Sequence, residues 1–262
     1  EGSGTGASGG HDRVWVAEAI LLWLCSLASR SVDLLLSSCK GGTGAMAVLA
    51  CACRAVELRL LCEPVQRFEC CCVDCRRWTS WCAEKGGRTP PSKLTNDLVY
   101  FPNAAAVTKG ADKLQCFVLR KGYPTRRIIT SCCWSLLMTD HPAYSGLRVA
   151  VDNGGAAQLQ MIGSGEGATM DDLRPFDSRI FQSDLAAEQL AELPPFSPPP
   201  GQRTFAQAQD AAGAALEELS GSSSCASATT IQALIEQIGA VGEADPSYEG
   251  PIPEWTRHKQ GD

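Results

Sequence analysis

Cysteine carries the chemistry of this sequence. It occurs as Cys51-x-Cys53, as Cys70-Cys71-Cys72-x-x-Cys75 and as the pair Cys132-Cys133. Soft thiolates gathered from distant parts of one chain predict zinc, which takes three or four deprotonated ligands in a tetrahedron. Close-spaced pairs deliver two ligands from a single turn. Four ligands close a site and make it structural; three leave a position open for chemistry. Adjacent or once-separated cysteines bridge to each other poorly, because a disulfide needs Cβ atoms that face one another. The 14 cysteines of this 262-residue chain therefore read as metal ligands and buried thiols, with a disulfide-stapled secreted domain as a further alternative. Cys25, Cys39, Cys62, Cys82, Cys116 and Cys225 have no ligand partner by spacing and read as buried free thiols.

The elements that must position these clusters are mostly short strands. Residues 46–60 predict a strand with Val56, Leu58 and Leu60 on the buried face and Glu57 and Arg59 on the other. Glu63-Pro64 makes a turn, and Phe68 to Cys72 is a second short strand that runs into a loop around Cys75. Leu98 to Phe101, Leu114 to Leu119, Arg127 to Thr130 and Arg148 to Asp152 are further strands. Trp78, Trp81 and Trp134 lie beside the cysteines and read as core that shields a metal from water. Gly154 to Gly167 reads as loop, and Leu193 to Gly201 as an extended proline-rich segment. Thr204 caps a helix that runs through Leu219. Thr229 to Ile238, with its Ile231, Leu234, Ile235 and Ile238 stripe, predicts a short amphipathic helix. The fold class is mainly β: a small antiparallel β domain with α-helical N- and C-terminal extensions. The segments are 1–45 (Gly/Ser start and apolar helix), 46–155 (cysteine-rich β domain), 156–200 (loop and proline-rich extension) and 201–262 (helical acidic tail).

Charge is uneven. Residues 51–150 carry 15 basic and 8 acidic side chains, whereas 151–262 carry 5 and 17. Such a basic core suits an anionic ligand or an overlying acidic tail. The apolar run 14–28 is shorter than the roughly 20 residues that cross a bilayer, and Glu18 interrupts it. It reads as a helix packed on its own domain, or as a docking element for an assembly or a membrane. The start at Glu1, in a Gly/Ser run without Met, reads as processed or trimmed, consistent with an organelle or another reducing intracellular compartment.

The order CxC, strand, Glu-Pro turn, then CxCxxC followed by Arg-Arg (Ala50 to Trp81) resembles the glutathione-dependent formaldehyde-activating enzyme family, which includes centromere protein V. That family has a CHCGAV segment, a CHCxxCR segment and a late RxFCxxCGSxL segment. The resemblance covers roughly residues 48 to 155, and its first two motifs are the specific ones. It implies the family's β fold and a zinc cofactor. Cys51 and Cys53 match half of a structural four-cysteine zinc site, and Cys70, Cys72 and Cys75 match a three-cysteine catalytic zinc. In the third segment Cys133 matches the second cysteine and Thr130 stands where the first should be. Cys132 can substitute from the adjacent position only if its side chain bends round. Arg54 replaces the glycine after CxC, where a Cβ would hinder a left-handed turn.

The activity implied is carbon–sulfur lyase or thiol-adduct chemistry with glutathione or another small thiol. Arg76, Arg77, Arg120, Lys121, Arg126 and Arg127 then either receive its carboxylates or form a solvated face. The rival reading is a catalytically inactive accessory subunit of a large assembly, soluble or membrane-bound. It would be engaged through the apolar N-terminal helix and the C-terminal tail. His11, His141 and His258 have no motif partner; His141, in Thr-Asp-His-Pro, is a turn residue or the orienter of a ligand. Asp152 reads as a turn or hydrogen-bonding residue. Gly41-Gly-Thr-Gly lacks the Lys-Ser/Thr end of a phosphate loop. No GxSxG elbow has a following histidine, and Gly163-Ser-Gly-Glu-Gly is low-complexity sequence. Nucleic acid is not expected, since no exposed aromatics interleave the basic residues.

Overall fold

The computed structural model describes residues 47–89, 92–153, 157–162, 170, 174–221 and 228–249. Among these the chain is mainly β, with twelve strands in two sheets and four α-helices. The smaller sheet contains β1 (Ala47–Ala50), β2 (Glu57–Leu60), β5 (Ala105–Lys109) and β10 (Gln158–Met161). Its order is β10-β1-β2-β5, antiparallel throughout. The larger sheet contains β3 (Gln66–Cys70), β4 (Asn96–Pro102), β6 (Leu114–Val118), β7 (Arg126–Thr130), β8 (Leu136–Asp140) and β9 (Arg148–Asp152). β11 (Ser178–Ile180) and β12 (Val241–Glu243) join it at its two edges, giving the order β11-β3-β4-β9-β8-β7-β6-β12. The two edge strands pair in parallel, β11 on β3 and β12 on β6, while the interior pairs are antiparallel.

The larger sheet is buried on both faces. On one face Val99, Phe101, Val149, Val151, Ile128 and Met138 share a core with Leu49, Leu58 and Leu60 of the smaller sheet. The alternate residues face the other way: Phe68, Cys70, Leu98, Tyr100 and Ala150 form a second cluster, and Ile129 belongs to a third. Three helices cover these cores. Helix α1 (Val73–Glu84) lays Trp78, Trp81 and Cys82 on the third cluster. Helix α3 (Phe205–Ser220) inserts Ala208 and Ala212 into the second. Helix α4 (Ile231–Ile238) adds Ile231, Leu234 and Ile235 to the first. The remaining helix, α2 (Ala187–Glu192), is short and has no buried residue.

The cap read from the sequence forms. The Thr204 hydroxyl accepts from the Gln207 backbone N–H, while the Thr204 backbone N–H donates to the Gln207 side-chain oxygen; Thr230 also caps α4. The alternation at residues 56–60 also forms, with Val56, Leu58 and Leu60 fully buried. Three local expectations are corrected. Residues 46–60 are not one strand but a hairpin, β1 and β2, closed by the Cys51–Cys53 turn. The stretch around Cys75 is a helix rather than a loop, opened by Cys72 as its N-cap. Within the stretch read as loop, residues 158–161 form β10 against β1. The elements after residue 155 are built into the same compact unit, because β11 and β12 complete the large sheet.

The apolar run 14–28, residues 250–262, His11, His258, Cys25, Cys39 and Cys225 lie outside the described residues. Among the described residues no helix is long and apolar enough to cross a membrane.

Candidate metal centres

Two cysteine groups converge, and each can hold a metal ion: Cys51, Cys53, Cys132 and Cys133 in one, and Cys70, Cys72 and Cys75 in the other. In both, all the sulfurs lie within 4.8 Å of one another. The first group is built from two turns. The β1–β2 hairpin supplies Cys51 and Cys53, and the β7–β8 connection supplies Cys132 and Cys133. The Sγ–Sγ distances are 3.5 Å for Cys51–Cys53, 3.8 Å for Cys51–Cys132, 3.4 Å for Cys53–Cys132 and 3.9 Å for Cys132–Cys133. Thiolates about 2.3 Å from a tetrahedral ion are separated by about 3.8 Å, so the set has the size of a filled site.

Cys132 therefore does what its sequence position made difficult: it turns round and supplies the fourth sulfur of the group. Thr130, fully buried at the end of β7, closes the turn instead. Its carbonyl accepts from the Trp134 N–H at 2.9 Å, and its hydroxyl lies 3.5 Å from the Cys133 sulfur. Backbone donors brace the thiols. The Val56 N–H donates to the Cys51 sulfur at 3.3 Å, and the Ala52 N–H donates to the Ser135 hydroxyl at 3.0 Å, tying one turn to the other. Burial raises the Cys133 thiol, but hydrogen bonds from Ser135 and Thr130 outweigh it and bring the pKa down to about 6. Burial, with the Cys53 thiol adding to it, pushes Cys132 up to about 12.

Both turns need a left-handed residue directly after their last cysteine. Arg54 adopts φ 57° and Trp134 φ 51°. These are non-glycine residues in a region that costs roughly 1–2 kcal/mol. The missing glycine after CxC thus does not block the turn: Arg54 makes it under strain.

The second group comes from the end of one strand and the start of one helix. Cys70 is the last residue of β3, Cys72 is the N-cap of α1, and Cys75 lies in its first turn. The Cys72 sulfur accepts from the Cys75 N–H at 3.3 Å, and the Cys70 and Cys75 sulfurs are 3.9 Å apart. Cys71 is buried but is not part of the group. A helix N-terminus carries partial positive charge and favours thiolates. Cys70 is buried, while Cys72 and Cys75 are half-buried.

Arg127 reaches this centre. Its Nη2 donates to the Cys75 sulfur at 3.5 Å, and its guanidinium lies 4.9 Å from the Trp78 ring centroid. Hydrogen bonds from the Cys70 and Cys72 thiols, helped by the Arg127 charge, hold the Cys75 thiol well below its ordinary value. The corresponding bonds and burial push Cys70 well above it. Tyr100 and Tyr144 pack beside the cysteines with their hydroxyls 3.2 Å apart.

Of the residues read as one basic surface, Arg127 is buried and Arg76, Arg77 and Arg126 have partners of their own. Strand alternation sends Arg126 to Asp140, at 2.9 Å, and Arg127 to the cysteines. Arg77 pairs with Glu84 and Asp245, each at 2.7 Å, and Arg76 donates to the carbonyls of Cys71 and Asp184. The three tryptophans are core: Trp81 meets Trp78 and Trp134 edge-on, with centroids 5.4 and 5.5 Å away. His141 makes the expected turn, its Nδ1 accepting from the Ala143 N–H at 3.3 Å. Asp152 ends β9 and is buried. Among the described residues none of the eleven cysteines is in a disulfide. No protein-family model matches this chain, and no curated protein matches it.

Proposed function

We propose that the chain is a divergent zinc-binding domain of the glutathione-dependent formaldehyde-activating type, with thiol-adduct chemistry at the Cys70, Cys72 and Cys75 centre. One observation carries the reading. Among the described residues, one cysteine group offers four sulfurs and the other three, the contrast between a closed structural zinc site and an open catalytic one. The sulfur spacings fit zinc in both groups, and soft thiolates suit it. A zinc ion held at the three-cysteine group supplies an open Lewis-acid position that keeps an incoming thiol deprotonated at neutral pH. The protein's own part is to hold the three thiolates with β3 and the start of α1. Arg127 offsets part of their negative charge, and the surrounding apolar cluster excludes water from one side.

The test is zinc-loaded full-length protein with formaldehyde and glutathione, following the rate of adduct formation and breakdown by NMR exchange. Acceleration that disappears in Cys72→Ala supports the reading; an unaccelerated rate with the zinc bound contradicts it. The alternative is an inactive accessory subunit. Zinc at both groups without turnover, in a chain that co-purifies with an assembly, is the result that reading expects.

A further inference from the structure

Buried polar groups are almost always hydrogen-bonded, and each exception calls for a cause. Beside the three-cysteine centre three of the exceptions are donors. Arg127 Nη1, Trp78 Nε1 and Asn96 Nδ2 are buried and have no hydrogen-bond partner among the described residues. The residues that carry them are 3%, 0% and 5% exposed. They come from β7, α1 and β4, and all three border the same centre. Arg127 already contacts Cys75 through Nη2, the Trp78 ring lies against the Arg127 guanidinium, and Asn96 is the direct cross-strand partner of Cys70. Three unsatisfied donors, one of them cationic, around one buried and two half-buried thiols describe a place for an oxygen with negative charge.

We propose that Arg127, Trp78 and Asn96 form a donor set that holds the oxyanion of a thiol–aldehyde adduct at the three-cysteine centre. The proposal rests on the reading above and adds the carbonyl side of the reaction to it. The thiol loses its proton to water. Its sulfur pair forms the carbon–sulfur bond to the aldehyde carbon. The π pair of the carbonyl moves onto oxygen, where the three N–H donors stabilise it until it takes a proton from water. In the reverse direction the same donors hold the oxygen while the carbon–sulfur bond breaks. Pre-aimed donors in a dry site are effective because they need no reorganisation as the charge develops.

The experiment titrates formate, a small oxyanion, into zinc-loaded, ¹⁵N-labelled full-length protein. The Trp78 indole N–H is followed by NMR and assigned by its loss in Trp78→Phe. The expected result is a saturable shift of that resonance, with formate binding roughly tenfold weaker in Arg127→Met, the value of one charge-assisted bond. Asn96→Ala should weaken it by a smaller factor, and it provides the second test if Arg127→Met fails to fold. A stationary indole resonance, or unchanged formate affinity in a folded variant, overturns the proposal. Formate binding that depends on Arg127 without any adduct turnover would keep the donor set and sink the formaldehyde reading. Turnover that persists unchanged in Arg127→Met and Asn96→Ala would do the reverse.

Discussion

At the four-cysteine group the ligands come from two irregular turns. At the three-cysteine group they come from the end of a strand and the first turn of a helix. The first arrangement joins β1–β2 to β7–β8 and leaves Cys53 and Cys132 exposed. Its turns also carry left-handed strain at Arg54 and Trp134. The second is set into the buried face of the large sheet, braced by Arg127 and flanked by Tyr100 and Tyr144. Strain at the rim and unsatisfied donors in the interior are different signatures. A metal that holds two turns together can compensate for the first, and a ligand that brings an oxygen can satisfy the second.

The largest separation should come from removing one ligand at each group. Cys51→Ala is expected to lower folding stability by roughly 5 kcal/mol, because binding energy at a structural metal site is folding energy. Chemical denaturation with and without a chelator checks this, and the chelator should have little further effect on the variant. In the metal-free protein Cys72→Ser is expected to leave stability within about 1 kcal/mol, since a serine still caps α1, while abolishing metal binding at the three-cysteine group. Metal-competition titration against a chromogenic chelator reads that loss. Equal destabilisation by the two changes would erase the contrast drawn here.

A finer break concerns the fourth ligand. Cys132→Ser should weaken metal binding at the four-cysteine group. The double change Thr130→Cys with Cys132→Ser should restore much of it, because position 130 is where the resembled motif places its cysteine. Metal affinity measured on the pair of variants decides this; no restoration would mean that the turn has committed to Cys132. The smallest effect is expected at Arg54. Arg54→Gly should raise stability by up to about 1 kcal/mol, because glycine adopts φ 57° without a Cβ penalty. Thermal unfolding with metal bound measures it.

Much of this was legible in the residues, for reasons that can be located. Val56, Leu58 and Leu60 alternate because β2 has one face in the shared core and one toward the outside. Thr204 announces its helix because capping is local chemistry. β8 was not legible. Leu136 to Thr139 is buried on both faces of the large sheet, so no alternation marks it. β5 begins with two alanines, weak strand formers, and β11 and β12 are three residues each and depend on a neighbouring edge. Helix α1 had a signal in Cys75, Trp78 and Cys82 at helical spacing. A cysteine in place of the usual Ser, Thr, Asp or Asn cap hid its start. Cys132 could substitute only if its side chain bent round, and the left-handed Trp134 shows how that turn is made. Arg127 was counted among surface charges; the period of two that buries it beside Cys75 exposes Arg126 instead.

The measurement that bears most directly on the central claim is zinc content per chain by elemental analysis, on the wild type, Cys53→Ala, Cys72→Ala and the double variant. Two separate centres predict two zinc ions, then one, one and none. A wild type that binds a single ion, or a Cys72→Ala variant that retains both, would contradict the account.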